Sequence, residues 1–170
     1  MDELGRMNPE EFDKAQKTPL IVILDDVRSH LNVGSVFRSA DAFRVEKIYL
    51  CGITGCPPHR DIQKTALGAT ETVAWEYREN INTLIDELKQ NGIVIASVEQ
   101  TENAVKLQEI DIEHSLKYAV VFGNEVEGVK QEVINQSNFC IEIPQFGTKH
   151  SLNISVCAGI VMWEWVRKLI

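Results

Sequence analysis

The chain has 170 residues, 44% hydrophobic and 25% charged, with a formal net charge of −8. That composition suits one soluble core, and no stretch approaches the ~18–20 uncharged apolar residues of a membrane-spanning helix. The start "MDELGRMNPEEF" is acidic and lacks an apolar signal core, so the cytoplasm is the expected compartment. The acidic balance excludes a partner held by a general basic surplus: if nucleic acid is bound, the basic groups have to be gathered on one face.

In chain order, "RMNPEEFDKAQKT" reads as a helix, with Asn8 as cap, Pro9 in the first turn and Glu11 completing a capping box. Met7 and Phe12 have the spacing of a hydrophobic staple. "PLIVILDDV", Pro19 to Val27, is a continuous apolar strand. After "RSHL" the run "NVGSVFRSADAF" places Val33, Val36, Phe37, Ala40 and Phe43 at helical spacing, with Asn32 as a possible cap. "KIYLCG" and the shorter "TVAWEY" are strands. "NINTLIDELKQNG" is an amphipathic helix, capped by Asn80 or Asn82 and stopped by Gly92. "IVIASV" and "YAVVFG" follow as strands, "KQEVINQS" as a helix and "FCIEIP" as the last strand. An apolar helix from about Leu152 ends the chain. Strands that are apolar throughout, alternating with helices, predict an α/β fold: a parallel sheet covered on both faces, an α/β/α sandwich. Residues 1–18 form an N-terminal helical extension and residues 19–170 the main domain.

Cys51, Cys56, Cys140 and Cys157 lack framework spacing and read as small core residues. Cys51, Cys56 and His59 lack the fourth ligand and the CxxC pair of a zinc site, so no metal is expected. In parallel sheets ligands bind beyond the carboxyl ends of strands, here after Val27, Gly52, Val98, Phe122 and Pro144. No GxGxxG, GxxxxGK[ST] or GxSxG occurs, against a dinucleotide-dependent oxidoreductase, a P-loop and a hydrolase elbow. The distinctive loops are "RSHLNVGSVFRSAD", "FGNEVEGV" and "IPQFGTKHSLN". Taken singly, each has a plain reading. Arg38 is a surface arginine of a capped helix, Glu125 and Glu127 are solvated acids in a tight turn, and Ser151 or Asn153 is a helix cap. The last loop carries more polar groups than capping requires, and helix-start N–H groups beside a glycine bend suit a small polar ligand.

Together and in this order, the loops resemble the three signature motifs of the SpoU/TrmH family of RNA 2′-O-ribose methyltransferases, of the SPOUT class. "NVGSVFRSADAF" is similar to motif 1, "VVFGNEVEGV" to motif 2 and "IPQFGTKHSLNISVCAGIVMWE" to motif 3. The resemblance makes residues 19–170 a SPOUT methyltransferase domain. It implies a C-terminal deep trefoil knot, a homodimer and S-adenosylmethionine as methyl donor. Implied cofactor contacts are Val98, Gly123, Asn124, Gly128, Ile143, Pro144, Gly147, Ser151, Leu152 and Asn153. Implied catalytic residues are Asn32, Arg38, Glu125, Ser151 and Asn153.

The expected reaction is transfer of methyl to a ribose 2′-hydroxyl, with Arg38 as a bidentate grip on the neighbouring phosphate, because guanidinium does not act as a base in ordinary sites. Asn32 would orient Arg38 or the ribose, and Glu125 would fix Arg38 or a backbone turn. RNA contacts are expected from Arg28, Arg38, Arg44, Arg60, Lys64, Lys149 and His150. Transfer RNA, methylated on a guanosine ribose, is the preferred substrate, because the "VEQT" turn and the run from "FGNEVEG" onward resemble the catalytic domain of the eukaryotic tRNA guanosine methyltransferases of this family. Ribosomal RNA, or a non-catalytic RNA-binding scaffold of the same fold, is the alternative. The sequence departs from the family pattern twice. Arg44 replaces a glycine after "ADAF", which predicts a left-handed arginine or a different helix end. Leu31 replaces the histidine that many relatives carry before Asn32.

Overall fold

The computed structural model describes residues 7–148 and 151–169; the expected RNA contacts Lys149 and His150 lie outside them. Seven strands are β1 Thr18–Asp25, β2 Val45–Cys51, β3 Trp75–Arg78, β4 Val94–Val98, β5 Val105–Lys106, β6 Tyr118–Phe122 and β7 Phe139–Glu142. They form one sheet in the order β3-β2-β1-β6-β4-β7-β5, with every ladder parallel. The helices are α1 Pro9–Lys14, α2 His30–Ala42, α3 Arg60–Ala66, α4 Ala69–Thr72, α5 Ile81–Gln90, α6 Gln131–Gln136 and α7 Ile154–Leu169, with a 3-10 turn at Leu107–Glu109. None of the described helices is long and apolar enough to cross a membrane.

The continuous apolar strands are explained by burial on both faces. In β1, Leu20, Val22 and Leu24 join a core with α2, α3 and α7, while Ile21 and Ile23 point to the opposite core under α5 and α6. In β6, Tyr118, Val120 and Phe122 take the first face, Ala119 and Val121 the second. Side chains alternate at period two, so a strand covered on both faces is apolar in both registers, and its buried polar residues are partnered, Ser97 in β4 by Ser137 and Asp25 at the end of β1 by Lys130. Each such aliphatic side chain contributes roughly 1.5–3 kcal/mol of burial. Cys51 and Cys140 are buried, as their role of small core residues requires, and burial pushes the Cys51 thiol up to about 12.

Several boundaries move. The first helix is shorter than expected: it ends at Lys14, and Thr18 already belongs to β1. Its capping box is present in both directions, Glu11 N–H to Asn8 Oδ1 and Asn8 N–H to Glu11 Oε2, each at 2.9 Å. Phe12 is buried in the main core while Met7 stays exposed. The second helix starts two residues before Asn32, at His30, and its cap is Ser29, whose Oγ accepts the Asn32 N–H at 3.3 Å. Asn32 is thereby released from capping. α5 keeps its expected ends, with the Asn80 side chain accepting from Asn82 and Thr83 and Gly92 at φ 74°.

Arg44 takes the first of its two options, a left-handed φ of 50°, with its carbonyl accepting the Thr18 N–H at 2.8 Å. That conformation costs a non-glycine residue roughly 1–2 kcal/mol, partly offset by the greater freedom of glycine when unfolded. Arg44→Gly is therefore predicted to raise the thermal midpoint by about 2–4 °C in a domain of this size. A calorimetric midpoint at or below that of the parent chain would show that Arg44 carries a compensating contact.

Candidate active site

The carboxyl ends of β4, β6 and β7 open on a cavity of about 490 Å3, inside the roughly 300–1,000 Å3 range of small-molecule sites. Of the expected cofactor contacts, Val98, Gly123, Asn124, Gly128, Ile143, Ser151, Leu152 and Asn153 line it. Pro144 and Gly147 are not part of that lining; a Cβ added to Gly147 would meet nothing within 4 Å.

The wall after β6 is shaped by its own sequence. Asn124 and Gly128 exchange backbone hydrogen bonds of 3.0 and 2.9 Å, closing a tight hairpin. Inside it the Asn124 Oδ1 accepts the N–H groups of Val126 and Glu127, an Asx-type turn, while its Nδ2 donates to the Asp26 carbonyl at 2.8 Å. Both glycines are required. A Cβ on Gly123 would stand 2.2 Å from the Gly128 carbonyl oxygen, and Gly128 has a φ of 72°.

Glu125 points out of this hairpin to the start of α2. Its Oε2 accepts the Arg28 N–H, and its Oε1 accepts the Ser29 N–H, both at 3.0 Å, and the Asn32 Nδ2 at 3.2 Å. In a capping box the third helical residue takes the N–H of the cap. Here that residue is Asn32, and Glu125 does the work from across the molecule. The negative charge also sits at the positive end of the helix. Burial pushes the Glu125 carboxyl up, but the Arg28 and Ser29 N–H groups and the Asn32 amide outweigh it and hold it below its ordinary value.

The string continues into the last motif. Asn32 Oδ1 accepts Nδ2 of Asn153 at 3.1 Å. The Asn153 Oδ1 in turn accepts the N–H and Oγ–H of Ser155 at 2.9 and 2.7 Å, and its carbonyl accepts the Cys157 N–H. Asn153 thus starts α7 and reaches α2 at once, which accounts for one of the polar groups beyond capping need. Three segments that are remote in sequence meet through three side chains, Glu125, Asn32 and Asn153.

Glu99 ties in the remaining turn. Its Oε2 accepts the Val129 N–H at 2.8 Å, and its Oε1 accepts the Gln100 N–H at 3.0 Å. Sequence reasoning gave Glu99 no role. The only signal was a carboxylate directly after an apolar strand. Glu99, Glu127 and Glu142 place further acidic groups on the lining.

Arg38 is elsewhere. It is exposed on α2 and lines a second cavity together with Arg44, Asp41 and Glu71. Within one chain Glu125, Ser151 and Asn153 line the first cavity, Asn32 is tied to them through its bonds to Glu125 and Asn153, and Arg38 lies outside. Of the other expected RNA contacts, Arg28, Arg60 and Lys64 are exposed near the start of α2 and on α3, and Arg44 borders the second cavity.

Known proteins share this fold. The SpoU rRNA Methylase family model matches residues 19–163. A Staphylococcus aureus protein that carries the name TrmH family tRNA/rRNA methyltransferase is 34% identical over 163 residues, covering 94% of this chain and 64% of its own length. The chain thus spans just under two thirds of the curated relatives it matches. Among solved structures, the A. aeolicus TrmH/SpoU tRNA modifying enzyme superposes with a TM-score of 0.82 at 29% identity, covering 94% of this chain and 79% of that one. An AdoMet-bound rRNA methyltransferase from Sinorhizobium meliloti has the same fold, with a TM-score of 0.82 at 24% identity over 97% of this chain and 62% of that one. With its motif residues interlocked as described and its length matched from the first strand into the last helix, the chain belongs to the SpoU methylase family.

Proposed function

We propose that the chain is an S-adenosylmethionine-dependent RNA 2′-O-ribose methyltransferase that works as a homodimer in the cytoplasm and prefers transfer RNA. The observation that carries this reading is the junction of three turns around one cavity, locked by the string Glu125–Asn32–Asn153. A scaffold without activity has no need of that lock. The fold of an RNA 2′-O ribose methyltransferase, matched with a TM-score of 0.78, agrees with it.

The lining fits the methyl donor. Val98, Ile143 and Leu152 offer apolar surface, backbone groups of the Gly123–Gly128 hairpin offer polar contacts, and Glu99, Glu127 and Glu142 suit a cation. When bound, S-adenosylmethionine supplies a methyl group already activated for transfer. The protein then has to orient the acceptor. Ser151 and Asn153, at the mouth of the cavity, face the ribose. Arg38 grips the adjacent phosphate through its guanidinium fork, and the 2′-hydroxyl proton leaves to that phosphate or to water.

Because Arg38 does not line the cavity of its own chain, the reading requires it to serve the partner subunit. Val156, Ile160 and Trp163 support this: they recur along one face of α7 and are 51, 39 and 47% exposed. An apolar stripe of this kind wants a covering surface. It adjoins the helix of Arg38, since α7 packs on α2 where Gly159 faces Ser39, and Trp163 lies beside Phe43, ring centroids 6.0 Å apart. The same reading assigns the C-terminal segment a deep trefoil knot, supported by the way Asn153 and α7 return past the turns after β4 and β6 to reach α2.

The test is incubation with methyl-labelled S-adenosylmethionine and separate tRNA and rRNA pools, followed by alkaline hydrolysis. A 2′-O-methyl group blocks cleavage of the next phosphodiester, so label should appear in alkali-resistant dinucleotides from tRNA. Label confined to mononucleotides would mean base methylation and would overturn the assignment of the acceptor oxygen.

A further inference from the structure

The junction described above leaves two histidines unused. His30, the first residue of α2, and His59, the cap of α3, lie face to face with ring centroids 3.8 Å apart and planes within 11° of parallel. They come from different loops, after β1 and after β2. The His59 Nδ1 accepts the Asp61 N–H at 3.2 Å, which leaves the ring proton on Nε2. Space for the pair is built in, because a Cβ on Gly55 would stand 2.2 Å from the His30 Cδ2. The loop is pinned from below: Ile53 N–H donates to Asp26 Oδ1 at 2.9 Å, and the Thr54 hydroxyl accepts the Val27 N–H at 3.0 Å and donates to the Leu24 carbonyl at 3.0 Å.

Stability alone explains this poorly. Both rings are only half-buried, and asparagine or serine caps a helix better than an imidazole does. The position is informative as well. His30 follows directly on Ser29, whose N–H Glu125 holds, so the stack adjoins the catalytic junction. Arg28 precedes it by two residues, Arg60 follows His59, and Lys64 lies one turn further along α3; all three are exposed. A flat π-surface flanked by cations is the equipment of a single-strand binding site, where bases stack on aromatic faces and basic side chains follow the phosphates.

We propose that the His30–His59 pair is a stacking platform for an unpaired nucleobase of the RNA, next to the nucleotide being modified. Arg28, Arg60 and Lys64 hold the flanking phosphates. This rests on the reading of the chain as an RNA methyltransferase and adds a subsite to it. Every base has a π-face, so the platform positions RNA without selecting its sequence.

Two substitutions remove a ring each: His30→Ala, and His59→Asn, which keeps a strong cap on α3. His30→Phe keeps a stackable ring. The readouts are affinity for an end-labelled single-stranded RNA and for unfractionated tRNA, their salt dependence, and calorimetric affinity for S-adenosylmethionine. Loss of one base stack predicts RNA binding weaker by about five- to a hundredfold for the first two variants, with recovery in His30→Phe. Cofactor affinity and the salt slope should stay as in the parent, because no phosphate contact is lost. RNA affinities within twofold of the parent for both ring-deleted chains, with methylation intact, would overturn the platform alone. A fall in salt slope would do the same, by showing a charge effect. A parent chain that binds neither probe would overturn the platform together with the reading beneath it.

Discussion

An Arg38→Ala chain is expected to bind S-adenosylmethionine with unchanged affinity and to lose methyl transfer by on the order of a hundredfold or more, the usual effect of removing a group that acts on the transition state. The prediction follows from placement. Arg38 projects from α2 into a cavity distinct from the one that fits the methyl donor, so truncation leaves the donor's contacts intact. It is also exposed, so the fold should not suffer. Arg38→Lys is expected to restore little, because a single ammonium cannot reproduce a two-pronged hold on a phosphate. Single-turnover rates with saturating RNA, alongside calorimetric titration of the cofactor, separate the two effects. Transfer at the parent rate would remove Arg38 from the reaction.

The second large effect belongs to Glu125. Glu125→Gln keeps the shape but points an amide N–H at the Arg28 or Ser29 N–H, leaving donor against donor. A lost bond to a charged acceptor costs roughly 1.5–3 kcal/mol, and release of Asn32 should lower methyl transfer by more than tenfold through the broken tie to Asn153. The stability difference has a pH signature. The Glu125 carboxyl titrates below its unfolded value of 4.5, so its contribution is complete above that value and is lost as pH falls through the folded one. The gap between the parent and Glu125→Gln should be widest near neutrality and close below about pH 4.5. Denaturant titrations at neutral and acidic pH check this; a gap independent of pH would mean that the charge is not what holds the helix start.

The centre of the sheet was legible because β1 and β6 carry long apolar runs, Leu20–Leu24 and Tyr118–Phe122, which burial on both faces explains. α5 was legible because Ile81, Leu84, Ile85 and Leu88 fall on one face between Asn80 and Gly92. α3 and α4 were missed for the opposite reason. They are seven and four residues long, and α3 buries only Ile62 and Ala66, too few positions to establish a period. β5 has two residues and exists only because β7 offers it an edge. At the site, Glu125 and Asn153 were found through the resemblance of their loops to the family motifs, since each taken singly reads as turn or capping chemistry, while the start of α2 was misplaced. Ser29 and Asn32 both have capping chemistry, and the choice between them is made by Glu125, distant in sequence. Glu99 was missed, since the partner that gives it a role, the Val129 N–H, belongs to backbone that only the fold brings near. The His30–His59 stack is of the same kind: two ordinary loop residues become a surface only when β1 and β2 lie side by side.

Whether an active centre takes its arginine from one subunit and its cavity from the other is decided by mixing two inactive chains. Arg38→Ala keeps a complete cavity, and Asn153→Ala keeps a complete arginine. If the centre is shared, co-refolding the two should recover up to roughly a quarter of the parent methylation, since half the dimers are mixed and each contains one whole centre. A mixture as inactive as either chain alone, with dimers confirmed by light scattering, would contradict a shared centre.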